Sequence, residues 1–118
     1  MTTDETTPIE AATAYFDTWA GRDFDAFEAL LAPDVTFRGP LGRADDAASC
    51  RKGIEGMSQL MDGLEVHARA ADGADVITWF HLLVDGDEVP IANWMQVEGG
   101  HIRRIRVTFN PRPLLAKG

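Results

Sequence analysis

With a single cysteine, Cys50, in 118 residues, the chain can form no internal disulfide and has no thiolate cluster to hold a structural metal. A reducing, cytoplasmic setting is the matching expectation. Histidine is nearly as scarce. His67, His81 and His101 lack the i, i+4 spacing of a helical metal site, and only a fold that brought them together could make one, so neither metal nor cofactor is expected. Positive charge is short as well: 11 Lys and Arg stand against 19 Asp and Glu, a net charge of -8 that repels phosphate backbones and argues against nucleic acid as a partner. The nearest thing to a basic patch, Arg103, Arg104 and Arg106, reads as a strand face. No apolar run approaches the roughly 18 residues that a membrane span needs, and the opening MTTDETTPIE is acidic rather than leader-like. Repeats are missing, and no glycine run opens a helix after a strand to cradle phosphate.

What remains is a chain 45% hydrophobic and long enough for one real core. The expectation is one domain over 1–118, its core about 8–110, with mobile tails at 1–7 and 111–118. Thr7 or Thr6 can cap a first helix with Pro8 in its first turn, and Ala12, Tyr15, Phe16 and Trp19 make its apolar face before Gly21. Asp23 caps a second helix carrying Phe24, Phe27, Leu30 and Leu31, which Pro33 stops. A strand follows, with Val35, Phe37 and Gly39 alternating with Thr36 and Arg38, then a turn over Gly39–Gly42. After Asp45 and Asp46, Cys50, Ile54, Met57, Leu60 and Met61 mark a third helix, in which Gly53 and Gly56 cost about 1 kcal/mol each relative to Ala. From Leu64 the period becomes two, and turns at Asp72-Gly73, Asp85-Gly86 and Gly99-Gly100 cut four strands. The class is α+β: three N-terminal helices packed into a strongly curved, mixed but mostly antiparallel sheet that encloses a pocket.

Strand alternation assigns the faces. Val66, Ala68 and Ala70 oppose Glu65, His67 and Arg69. Val76, Thr78, Phe80, Leu82 and Val84 oppose Ile77, Trp79, His81 and Leu83, and the sets holding Phe80, Asn93, Met95, Ile105, Val107 and Phe109 are placed inward. Trp79, His81 and Trp94 then share the outer face, too much apolar surface for a monomer to show to water, so a homodimer through that face is expected.

The segment YFDTWAGRDFDAFEALLAPDVTFRGPLG, Tyr15 to Gly42, resembles the opening of the nuclear transport factor 2-like superfamily, whose members include SnoaL-like cyclases, ketosteroid isomerase and limonene epoxide hydrolase. The resemblance extends over 8–110. It implies a cone-shaped fold, usually dimeric, around a cavity for a small hydrophobic molecule. In ketosteroid isomerase two donors, a tyrosine on the first helix and a protonated aspartic acid on a late strand, stabilise charge on a carbonyl oxygen. Tyr15 matches the first without a gap. Asn93 matches the second if one residue is removed from Glu98-Gly99-Gly100; otherwise Ala92 falls there. The family's proton-shuttling aspartate precedes a proline after the first strand, and Gly39 stands at that place before Pro40. Asp46 is the substitute base of choice, with Asp45, His81 and His101 as alternatives. The aspartate of the epoxide hydrolase Arg-Asp pair is likewise replaced, by Val107 after Arg106.

Trp19, Phe37, Ile54, Met57, Phe80, Met95, Val107 and Phe109 are the expected walls of the cavity, with Tyr15 and Asn93 as its donors. Two functions remain open. One is a SnoaL-like enzyme doing cofactor-free acid-base chemistry (isomerisation, cyclisation, dehydration or hydration) on a hydrophobic, cyclic substrate. The other is a ligand-binding or dimerisation module without turnover, which Gly39 favours. Plainer roles stand beside these: Asp45 and Asp46 as cap and solvated charge, Cys50 as an inert buried thiol, His67 and His81 as interfacial neighbours on paired strands.

Overall fold

The computed structural model describes residues 7–117 and the side chains of 7–115; of the expected N-terminal tail, 1–6 lie outside the described residues. Helix α1, Pro8–Ala20, starts as its sequence dictates: the Thr7 hydroxyl accepts from the Glu10 amide while the Glu10 carboxylate accepts from the Thr7 amide, a reciprocal capping box. Asp23 caps α2, Phe24–Ala29, through a hydrogen bond from the Ala26 amide. The second helix ends earlier than Pro33. Leu31 is already the first residue of β1, Leu31–Gly39, and Pro33 lies inside that strand, where the pairing with β6 shifts register between Leu31 and Thr36. An exposed proline without an N–H is tolerated at such an irregularity.

Strand β1 turns through Pro40-Leu41, inside the expected Gly39–Gly42 turn, into a short strand β2, Gly42–Ala44, that hydrophobic alternation does not mark. Asp46 then caps α3, Ala47–Leu60, accepting from the Ser49 amide at 2.7 Å. Its buried side chains are Cys50, Ile54 and Ser58; Leu60, expected on the apolar face, is exposed. Four strands follow as a meander: β3, Gly63–Asp72; β4, Asp75–Val84; β5, Asp87–Glu98; and β6, His101–Thr108. Asp85-Gly86 and Gly99-Gly100 join their hairpins with φ positive at both loop residues, the geometry that matches strand twist. The sheet order is β2-β1-β6-β5-β4-β3, with β1 parallel to β6 and every other pairing antiparallel. The segment expected as a C-terminal tail holds a fourth helix, α4, Arg112–Lys117, whose Leu114 is buried in the core.

Two bulges correct the face assignments. In β3 the register shifts between Val66 and Ala68, so Arg69 comes to pair with Thr78 on the inner face, opposite to simple alternation. There its guanidinium donates to the Thr78 and Thr13 hydroxyls and lies 5.2 Å over the Phe16 ring. In β5–β6 the shift between Gln96 and Val97 turns Ile102 into the core beside Ile105 and leaves Arg103 outside. One extra residue reverses every side chain beyond it. The other assignments hold: Val76, Thr78, Phe80, Leu82, Val84, Asn93 and Met95 are buried, whereas Ile77, Trp79 and Trp94 are exposed. No helix among the described residues is long and apolar enough to cross a membrane.

Candidate functional site

The curved sheet and helices α1 and α3 leave an apolar cavity in two adjoining compartments. The outer one, about 140 Å³, opens between the β1–β2 hairpin and α3, with Leu41, Arg43, Ser49, Cys50 and Gly53 at its walls. The inner one, about 40 Å³, reaches Tyr15, Trp19, Phe80, Leu82, Ile91, Asn93 and Val107. Phe37, Ile54, Met57 and Phe109 line both. Of the expected walls, only Met95 is elsewhere. It is fully buried on β5 in the main core and borders neither compartment.

Tyr15 and Asn93 converge at the closed end. Each is 1% exposed, so neither can satisfy its polar atoms with bulk water. Tyr15 is wedged among Phe16, Trp19 and Phe27, with ring centroids 5.0, 6.2 and 4.9 Å away. Burial pushes its phenol well above the usual tyrosine range, Cys50 adds in the same direction, and a hydrogen bond from the Asn93 amide opposes both. Tyr15 is therefore a neutral donor at physiological pH. Asn93 Oδ1 is buried without a hydrogen-bond partner. An orphaned amide oxygen costs about 1–3 kcal/mol, a penalty that a ligand hydroxyl or amide could relieve. The neighbouring indole is already committed, since Trp19 Nε1 donates to Ser58 Oγ at 3.0 Å and Ser58 in turn donates to the Ile54 carbonyl.

The carboxylates are not brought to this pole. Asp46 is spent on the α3 cap, and Asp45 sits 2.7 Å from Arg38 and 3.7 Å from Arg43; the Arg38 hydrogen bond foremost holds its carboxyl below the usual range. His81 faces outward against Glu88 at 2.9 Å, and His101 is exposed beside the Gly99 carbonyl. Among the described residues no carboxylate or imidazole lines either compartment. At Gly39 a Cβ would meet the Phe37 ring at 3.3 Å and Val107 at 3.6 Å, both cavity walls. The position where the resemblance puts the base thus adjoins the cavity, and this chain has no side chain there. Cys50, at the outer wall, has its thiol pushed up to about 12, chiefly by burial, with Asp46 adding to it. It is an apolar wall rather than a nucleophile.

Sequence reading missed Cys50, Leu41 and Arg43 as walls. Hydrophobic periodicity marks Cys50 as core, and the Gly39–Gly42 turn signals a reversal but not the returning strand β2, which carries Arg43 to the rim.

The model of the SnoaL-like domain matches residues 12–105. No curated protein matches the chain. Among solved structures, an NTF2-like protein of unknown function from Cytophaga hutchinsonii superposes with a TM-score of 0.84 at 23% identity, over 97% of this chain and 99% of that one. A candidate ketosteroid isomerase from Kribbella flavida gives 0.78 at 26% identity, over 91% and 80%. An LEH-like epoxide hydrolase of M. tuberculosis gives 0.76 at 22% identity, over 96% and 90%. At such identities these likenesses speak to the fold.

Proposed function

Since the chain belongs to the SnoaL-like domain family, we propose that its cavity binds a small, largely apolar molecule whose single polar group meets Tyr15 and Asn93. The observation that carries this reading is the buried, unpartnered Asn93 Oδ1 beside a neutral tyrosine at the end of an otherwise apolar space. A donor on the ligand would satisfy Oδ1, and an acceptor on it would accept a hydrogen bond from the Tyr15 hydroxyl. A hydroxyl does both. A space of about 140 Å³, with a further 40 Å³ at its end, suits one ring with a short substituent rather than a fused four-ring skeleton.

The test compares 4-ethylphenol with ethylbenzene, which share a shape and differ by the hydroxyl, using calorimetry on the whole protein. The phenol is expected to bind about tenfold more tightly, the worth of roughly 1.4 kcal/mol of net hydrogen bonding. In Tyr15→Phe/Asn93→Leu the preference disappears while ethylbenzene still binds. Equal affinity for both compounds in the natural protein would sink the reading.

A second reading, acid-base catalysis on a carbonyl compound, is favoured by the same donor pair, because two donors at one oxygen stabilise an enolate. It needs a group to take the proton. The candidate relative from Kribbella flavida supports this reading by its description, and the lining of this cavity supports binding without turnover. We also propose that two copies pair through the outer sheet face, where Ile77 is 56%, Trp79 44% and Trp94 39% exposed.

A further inference from the structure

We propose that His67, His81 and Glu88 bind a divalent transition-metal ion of the zinc class on the outer face of the sheet, away from the cavity. Far apart in sequence, the three residues lie on neighbouring strands β3, β4 and β5. The β3 bulge is what joins them: Ala68 takes the place opposite Trp79, and His67 is left to stack on His81, ring centroids 4.1 Å apart and planes 34° from parallel. Glu88 Oε1 is 2.9 Å from His81 Nδ1. One ligand atom from each residue can be chosen so that all lie within 4.8 Å of one another.

Two imidazoles and a carboxylate are the borderline N/O donor set that zinc and its neighbours prefer. Tetrahedral zinc requires ligand atoms about 3.4 Å apart, so the side chains must rotate to close the set. His67 and Glu88 are free to do so, their side chains being 43% and 56% exposed. Glu65, directly opposite His81 in the ladder, has its carboxylate 3.5 Å from His67 Nε2 and stands next to the set as a further oxygen. Its charge, with that of Glu88, offsets the cation's. The ion would leave the cavity untouched and rigidify the outer edge of the sheet, where among the described residues β3 pairs with β4 alone.

Zinc sulfate titrated into the untagged protein at neutral pH is the test, read by calorimetry, with Cu²⁺ quenching of tryptophan fluorescence in parallel because the Trp79 and His81 ring centroids are 6.1 Å apart. One ion per chain is expected, with affinity in the micromolar range. His67→Ala and His81→Ala should each weaken binding at least tenfold, and Glu88→Gln severalfold. His101→Ala, which removes an exposed histidine outside the cluster, should change nothing. Binding that survives both His67→Ala and His81→Ala, or that falls equally in His101→Ala, overturns the proposal.

Discussion

Tyr15 and Cys50 place their ionisable groups where charge is unwelcome, and this fixes how stability responds to alkali. Both groups have pKa values raised in the folded chain, the thiol to about 12 against an ordinary 9.0, so folding favours their neutral forms. Stability from them is fully present below the unfolded values and drains away as pH rises toward the folded ones. Cys50 alone should therefore cost the fold about 1.6 kcal/mol between pH 9 and 10.5, since the unfolded thiol is half ionised at the start of that interval and each full unit is worth ~1.4 kcal/mol. Tyr15 adds above its own ordinary value. Urea midpoints measured across that interval should fall steeply for the natural protein and shallowly for Tyr15→Phe/Cys50→Ala; parallel slopes would refute the assignment. These residues were legible in the sequence because helical spacing alone put them on buried faces. Asn93 was legible for a different reason: an amide between Ile91 and Met95 contradicts its surroundings, and such contradictions collect at sites.

At the scale of elements, local signals carried most of the chain and failed where pairing decides the outcome. The Thr7 capping box, the Asp23 and Asp46 caps and the Asp85-Gly86 and Gly99-Gly100 turns depend on a few adjacent residues, and each is found where the sequence indicates. The bulges at Val66/Ala68 and Gln96/Val97 depend on the partner strand, and no neighbour in sequence announces them. Hence simple alternation puts Arg69 and Ile102 on the wrong face, and it does not reveal α4, whose buried Leu114 packs into a core built far from it in sequence. The same distinction applies to Asp46. Its carboxylate is bound to the Ser49 amide at the start of α3, so Asp46→Ala should lower stability by about 1 kcal/mol, as loss of a cap does. Its affinity for 4-ethylphenol should stay within twofold of the natural protein's. A tenfold loss of affinity with stability unchanged would instead return Asp46 to the site.

At the scale of the whole fold the sheet has one face curved round helices and cavity and one face that no element among the described residues covers. The covered face holds the buried β4 and β5 side chains, and on the open face Ile77, Trp79 and Trp94 present large apolar groups beside Arg104 and Arg106. A net charge of -8 repels second copies at long range, so pairing must rest on this local apolar area and on the arginines within it. A two-fold interface is self-complementary: a substitution near its axis is met by its own copy. Trp79→Glu would therefore set like charges against each other and remove an aromatic anchor at once, without touching the cavity on the opposite face. Sedimentation at micromolar concentration should give twice the chain mass for the natural protein and the chain mass for Trp79→Glu, with the 4-ethylphenol affinity of the two alike. If the natural protein already sediments as a single chain, the outer face is open to water and the pairing is wrong. If both proteins sediment as dimers, the copies meet elsewhere, and the exposed tryptophans require another explanation.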